Sequence, residues 1–111
     1  MYKYIKSSLE SEISDKFNDS YDGERRMRMA LNGLIRGNKP ECRVASWKAA
    51  LVTHTSDGTL VVVTNYGDPI CRIVYGADDR FEVIVDHEYN DFDVYDTAVS
   101  VLMDNGLPVN P

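Results

Sequence analysis

The sequence lacks the features that would assign the chain to a membrane, an export route or a disulfide framework. It contains no run of about 18 apolar residues, so we expect no transmembrane helix. Its first residues, MYKYIKSSLESEIS, lack the apolar core of a signal peptide. The two cysteines, Cys42 and Cys71, are too few for a disulfide scaffold and have no CxxC spacing. We therefore predict two free, buried or half-buried thiols in a cytoplasmic protein.

Catalytic motifs are also missing. None of the spacings GxxxxGKS, GxxxxGKT, GxGxxG, HExxH or GxSxG occurs in the chain. A cysteine nucleophile paired with His54 or His87 would have to ionise. Cys71 lies in a predicted strand that buries it and Cys42 follows Pro-Glu, and both are poor surroundings for a thiolate. Because carboxylate pairs can be drawn anywhere among 18 acids, they discriminate nothing, and we predict that the chain is not an enzyme.

The densest set of oxygen ligands is the stretch DHEYNDFD at 86–93. Asp86, Glu88 and Asn90 alternate as they do at the start of a calcium-binding loop. However, the sixth position is Asp91 where such a loop needs glycine, and the twelfth is Thr97 where it needs a bidentate glutamate. Since two requirements of the motif fail, we predict neither a bound metal nor any other cofactor.

The composition is that of an ordinary globular domain. The 111 residues are 43% hydrophobic and 27% charged, which predicts one domain over 1–111 with a modest core. The net charge of −6 is unevenly divided, since residues 1–56 hold ten Lys or Arg against seven acids (+3) and residues 57–111 hold two against eleven (−9). Such asymmetry suggests an interaction surface, although the two signs could also interleave on the folded surface.

Two helices are predicted in the N-terminal segment 2–37. In residues 2–18, apolar side chains recur at every fourth position, which places them on one helical face: Ile5, Leu9, Ile13 and Phe17. A second helix at 24–36 has Asp22 as its candidate N-cap. Its predicted buried face comprises Met27, Ala30, Leu31, Leu34 and Ile35. Gly33 lowers the helix propensity, and a close crossing with the first helix would explain it.

A sheet is predicted after a linker at 38–46, which is polar and contains Pro40. Residues 47–86 are expected to form a four-stranded antiparallel meander. Its strands are predicted at 47–55, 60–66, 70–75 and 81–86. Asp57-Gly58 favours a two-residue hairpin turn. The strand predicted at 60–66 is apolar on both faces at its start. This pattern predicts a central strand that other elements cover on each side.

A polar loop and one helix complete the chain at 87–106. Asp93 can cap a helix at 94–105, because its carboxylate can accept from the free N–H groups of the first turn. The predicted element order is α-α-β-β-β-β-α. The fold class is therefore α+β, with two N-terminal helices and one C-terminal helix packed on the antiparallel meander.

Acidic and aromatic residues are concentrated where the predicted sheet ends. The candidate partner-binding residues are Asp86, Glu88, Tyr89, Asp91, Phe92, Asp93 and Asp96. Dense carboxylates can imitate the phosphates of DNA and attract the basic groove of a nucleic-acid enzyme. Aromatic rings among them would supply anchors, or they would lie partly in the core. The second-choice surface is the arginine face of the 24–36 helix, formed by Arg25, Arg28 and Arg36.

Two hypotheses of function follow. The first is a small acidic inhibitor that binds a basic nucleic-acid-binding protein, and neither nucleic acid nor a membrane. Its profile is similar to that of phage or mobile-element proteins that block host defence or nucleic-acid-handling enzymes, which would place it in the host cytoplasm. The second is a structural or regulatory domain that self-associates as a homodimer, its acidity serving only solubility. A partner that is lost at high salt would favour the first.

Overall fold

The computed structural model describes residues 19–53, 55–76 and 78–110, with the side chains of the first helix described from Gly23 onward. This part of the chain is α+β, with an antiparallel sheet and two helices. In chain order the elements are α1 (Asp19–Arg36), β1 (Glu41–Val44), β2 (Trp47–Leu51), β3 (Thr59–Asn65), β4 (Asp68–Tyr75), β5 (Phe81–Val85) and α2 (Val94–Asp104). The helix predicted at 2–18 lies outside the described residues.

Helix α1 begins earlier than its sequence predicts. It starts at Asp19, so Asp22 lies inside the helix and is not its cap. The predicted apolar face is confirmed. Ile35 is half-buried, and the other four members are buried: Met27, Ala30, Leu31 and Leu34. Gly33 lies against a strand, because a Cβ atom there would overlap the Sγ atom of Cys42 in β1. The crossing predicted with the 2–18 helix lies outside the described residues.

Strand β1 lies inside the segment predicted to be a linker, so the sheet has five strands and not four. It pairs with β2 across the two-residue turn Ala45-Ser46, and Ala45 has a φ of 55°. Cys42 and Val44 are half-buried, whereas Glu41 is exposed. This is the alternation of a half-buried strand, but four residues give too short a pattern to predict from sequence.

The strands follow one another in the order β1-β2-β3-β4-β5, each antiparallel to its neighbours, which confirms a meander with β3 at its centre. Gly58 has the positive φ, 80°, that its turn motif predicts. Strand β2 ends at Leu51 and not at 55, so residues 52–58 form a longer connection than a two-residue hairpin. A second two-residue turn, besides Ala45-Ser46, lies at Tyr66-Gly67, where φ is 52° and 81° and Asn65 pairs with Asp68.

A bulge in β4 changes the predicted alternation. Val63 pairs with Cys71 but the next residue, Thr64, pairs with Pro69, so Ile70 is an extra residue. Ile70 and Cys71 are consequently both buried, although a regular strand would send them to opposite faces. The backbone oxygen of Ile70 accepts hydrogen bonds from the N–H groups of Asp86 (2.8 Å) and His87 (3.1 Å). The bulge thereby anchors the start of the loop that follows β5.

Both helices pack on the same face of the sheet. Helix α1 covers β1 and β2, α2 covers β4 and β5, and the helices contact each other. The largest fully buried side chains between the layers are Met27, Leu31, Ile70, Ile73, Val63 and Val101. On the other face Leu60 is 37% exposed, so the described elements do not supply the predicted cover on each side of β3. Neither of these helices is long and apolar enough to cross a membrane.

Candidate functional site

The predicted partner-binding residues lie in the acidic loop, defined here as residues 86–96, which joins β5 to α2 and includes the first turn of α2. Two of its aromatic side chains, Tyr89 and Phe92, face inward. Tyr89 and Phe92 are half-buried and stack with ring centroids 5.3 Å apart and planes at 13°. The buried indole of Trp47 in β2 packs on both rings, at 5.8 and 6.1 Å. These rings therefore join the loop to the core before any partner binds.

Polar contacts fix the same rings in place. The hydroxyl of Tyr89 accepts a hydrogen bond of 3.1 Å from Nδ2 of Asn65 at the end of β3. The imidazole of His87 meets the Tyr89 ring edge-on at 4.8 Å. In α1, Gly23 leaves room for Phe92, because a Cβ atom at Gly23 would lie 3.3 Å from that ring. The loop thus has a rigid aromatic base built from the sheet and from α1.

Two of the predicted carboxylates have structural roles. Asp86 forms a two-pronged pair with Arg72 of β4, with distances of 3.0 Å from Nε to Oδ2 and 3.0 Å from the second terminal nitrogen to Oδ1. Its hydrogen bond and charge raise the pKa of Arg72. Asp93 caps α2 as predicted, since its Oδ1 accepts from the N–H of Asp96 at 3.0 Å. A partner could bind either carboxylate only by competing with these intramolecular hydrogen bonds.

Three predicted carboxylates remain on the surface. Glu88, Asp91 and Asp96 are exposed, and Tyr95 beside them is 36% exposed. Glu88, Asp91 and the stacked rings line a shallow cavity of about 340 Å³, together with Val85 and the rest of residues 88–95, and Asp96 follows this lining in sequence. The structure therefore gathers a carboxylate rim around an aromatic floor.

The cap gives a prediction that separates folding from binding at this loop. Replacing Asp93 with alanine should lower the free energy of unfolding by about 1 kcal/mol, because the N–H of Asp96 loses its acceptor. Asp91→Ala, two residues away and exposed, should change it by less than about 0.5 kcal/mol. Urea unfolding followed by circular dichroism measures both variants. Equal losses in the two variants would contradict the assignment of the cap.

The second-choice arginine surface is divided by the packing of the two helices. Arg28 donates to Oγ of Ser100 at 3.1 Å and pairs with Glu24 at 3.2 Å. Arg36 donates from Nε to Oδ1 of Asn105 at 2.8 Å. Two of the three predicted arginines thus bind α2 or its C-terminal end, and Arg25 is exposed on α1.

A different basic cluster was missed from the sequence. Arg43 and Lys48 are directly opposed across the β1–β2 hairpin, and with Arg26 they line a cavity of about 420 Å³ that Tyr66 borders. The alternation of ECRV would have placed Arg43 beside Lys48 if residues 41–44 had been read as a strand. Negative charge is concentrated later in the chain, where every acid after Arg72 is exposed: Asp78, Asp79, Glu82, Asp86, Glu88, Asp91, Asp93, Asp96 and Asp104.

The thiols are placed as predicted, with Cys42 half-buried and Cys71 buried, both free. Burial, and to a lesser extent the charge of Asp86, raises the pKa of Cys71 to about 12. A thiol with that pKa is not a nucleophile near neutral pH. Among the residues described, no group of three or more His, Cys, Asp or Glu side chains is placed to hold a metal ion.

Comparisons with protein-family models, with curated proteins and with solved structures found no match for this chain.

Proposed function

We propose that this protein is a small acidic interaction protein that binds a basic partner through the acidic loop. The observation that carries the proposal is the aromatic-floored cavity of about 340 Å³, which is lined by the exposed carboxylates of Glu88 and Asp91, with the exposed Asp96 next to it in sequence. Carboxylates form charge-assisted hydrogen bonds with Arg and Lys, and aromatic faces attract the same cations. The cavity accordingly accepts one Arg or Lys side chain of the partner as its anchor.

The wider charge distribution suggests the kind of partner. Nine exposed acids follow Arg72 along the chain, and Arg80 is the only basic residue among them. Such a surface attracts the basic groove of a nucleic-acid-handling enzyme by the Coulomb force that also draws DNA there. The finer proposal is therefore an inhibitor that imitates DNA, encoded by a phage or mobile element and acting in the host cytoplasm on a defence or nucleic-acid-handling enzyme.

A charge reversal with a matched control tests the proposal. Changing Glu88, Asp91 and Asp96 to Lys should weaken binding of a basic partner, captured from lysate at low salt, at least about tenfold. The control changes Asp78, Glu82 and Asp104 to Lys, which alters the net charge equally at exposed sites outside the loop. It should weaken binding less than about threefold, since charges farther from the contact are screened by salt.

The outcomes are distinct. Equal weakening by the two triple variants would contradict binding at the acidic loop. It would show that the partner is attracted by the exposed acids in general. Capture of a partner that resists high salt, or of no nucleic-acid-binding protein at all, would overturn the electrostatic inhibitor. Circular dichroism of each variant confirms that the comparison is between folded proteins.

Self-association is the alternative proposal, with the acidity serving only solubility. It is less well supported, because the two edges of the sheet are poor templates for pairing. Edge strand β1 has only four residues and carries Glu41 and Arg43, and charged short edges oppose strand addition. Along edge strand β5, Phe81 pairs with Val109 of the C-terminal segment. A concentration-independent monomer in sedimentation equilibrium would exclude this alternative.

A further inference from the structure

We propose that the turn at Tyr66 and the two cavities beside it form a binding site for a nucleoside phosphate. One cavity, of about 420 Å³, is lined by the basic side chains Arg26, Arg43 and Lys48. The other, of about 310 Å³, is walled by Trp47, Tyr89 and Phe92. Both are bordered by Arg26, Ser46 and Tyr66, so they adjoin. This inference goes beyond the proposed partner binding and does not depend on it.

The basic cavity has the chemistry of a phosphate site. Arg43 and Lys48 stand side by side on opposed positions of the hairpin, and the hydroxyl-bearing residues Ser46 and Thr64 line the same space. Glu41 lies 3.7 Å from Nζ of Lys48, and this exposed ion pair is weak. Positive charge is thus concentrated locally in a protein whose net charge is −6.

The adjoining cavity has the chemistry of a nucleobase site. Its walls are aromatic, and the exposed carboxylate of Asp91 lies on the same lining. An acceptor beside aromatic walls suits a base with an exocyclic amino group, which donates hydrogen bonds.

Tyr66 supports the same ligand. It occupies a left-handed turn position, φ 52°, where Asn or Gly is favoured, and its side chain is 83% exposed. A bulky exposed residue in that conformation raises the free energy of the fold and gains little packing in return. An exposed ring between a basic and an aromatic cavity is a platform on which a base stacks. The net charge of −6 favours a free nucleotide over a nucleic-acid strand, because the many phosphates of a strand would be repelled by the negatively charged protein.

Isothermal titration calorimetry of the full chain tests the site. We expect the protein to bind adenosine, cytidine and guanosine monophosphates with an affinity at least about tenfold higher than inorganic phosphate or the corresponding nucleosides. Only the nucleotide fills both cavities. Uridine monophosphate, whose base lacks an exocyclic amino group, should bind more weakly than these three. Tighter binding of a short single-stranded oligonucleotide than of the mononucleotides would overturn the free nucleotide as the ligand and show that the site binds a nucleic-acid strand.

Two sets of variants locate the binding. Changing Arg43 and Lys48 to Gln should weaken nucleotide binding about tenfold to a hundredfold, the loss expected for charge-assisted hydrogen bonds. The control changes Lys39 and Arg80 to Gln, which removes the same charge from exposed residues at the other end of the sheet. The control variant should bind the nucleotides with an affinity within about twofold of that of the unmodified protein.

Tyr66→Asn separates binding from folding. Asparagine tolerates the left-handed turn better than tyrosine, so the midpoint of thermal unfolding should stay the same or rise. Nucleotide affinity should nevertheless fall about tenfold through the lost stacking. No heat of binding from any nucleotide at millimolar concentration, or unchanged affinity in the Arg43 and Lys48 variant, would overturn the site. Inorganic phosphate binding as tightly as the nucleotides would overturn the base-binding half.

Discussion

Replacing Trp47 with alanine is expected to lower the free energy of unfolding by about 3–5 kcal/mol, the loss typical of a buried aromatic side chain. The indole is 3% exposed at the start of β2 and packs against Tyr89 and Phe92. It is also close to α1, since a Cβ atom at Gly23 would lie 3.5 Å from it. One side chain therefore joins the sheet, the first helix and the acidic loop, and its removal leaves a void that none of the three can fill alone.

Urea unfolding measured by circular dichroism checks this expectation, because Trp47 is the only tryptophan and its fluorescence is lost in the variant. Leu51→Ala in the same strand is the matched control. Leu51 is 53% exposed, so its truncation should cost less than about 1 kcal/mol. A loss at Trp47 no greater than at Leu51 would contradict the aromatic base of the loop.

The same variant tests how the loop is supported. If Tyr89 and Phe92 hold the acidic rim in place through Trp47, Trp47→Ala should loosen residues 86–92 more than the sheet. Amide hydrogen exchange resolves the two, because it reports local opening apart from global unfolding. Trp47→Phe keeps an aromatic contact and should recover most of the protection. Uniform loss of protection would show that Trp47 stabilises only the core.

Much of the architecture follows from local patterns. The buried face of α1 was predicted from its helical period, the Asp93 cap from its position before an apolar run, and the positive φ of Gly58 from the Asp-Gly pair. These features depend on interactions within a few residues, which the sequence displays directly. The antiparallel meander follows from short runs separated by turn residues.

The missed features all depend on contacts between distant segments. Strand β1 is four residues of mixed polarity, and its pairing with β2 makes it a strand. The bulge at Ile70 breaks a period that looks regular in sequence. The sequence left open whether Tyr89 and Phe92 are exposed anchors or lie partly in the core, and they turn inward because Trp47 and Gly23 provide a surface for them. Exposure of the carboxylates depends less on tertiary contacts than placement of the rings does, since charged groups stay on the surface of most folds.

The thiol of Cys71 is expected to react with disulfide reagents about a thousandfold more slowly in the folded chain than in the unfolded one. Burial raises the pKa of Cys71 from 9.0 to about 12, and only the thiolate attacks, so three pH units correspond to about a thousandfold less nucleophile. The Cys42→Ser variant leaves Cys71 as the only thiol, and its labelling in buffer and in urea gives the ratio. Rapid labelling in buffer would mean that β4 opens locally.

The same pKa makes stability depend on pH, with a definite sign. Cys71 binds its proton more tightly when folded, so its contribution is complete below the unfolded pKa of 9.0 and is lost as the pH rises toward about 12. By about pH 10.5 the free energy of unfolding should have fallen ~2 kcal/mol on this account, at ~1.4 kcal/mol per pH unit. Cys71→Ala should lose about 1 kcal/mol at neutral pH through its smaller side chain, but should lack this part of the alkaline decline. Tyrosine and lysine titrate in both proteins, so the difference between the two curves isolates Cys71. Parallel curves would mean that Cys71 ionises equally easily in the folded and unfolded chains.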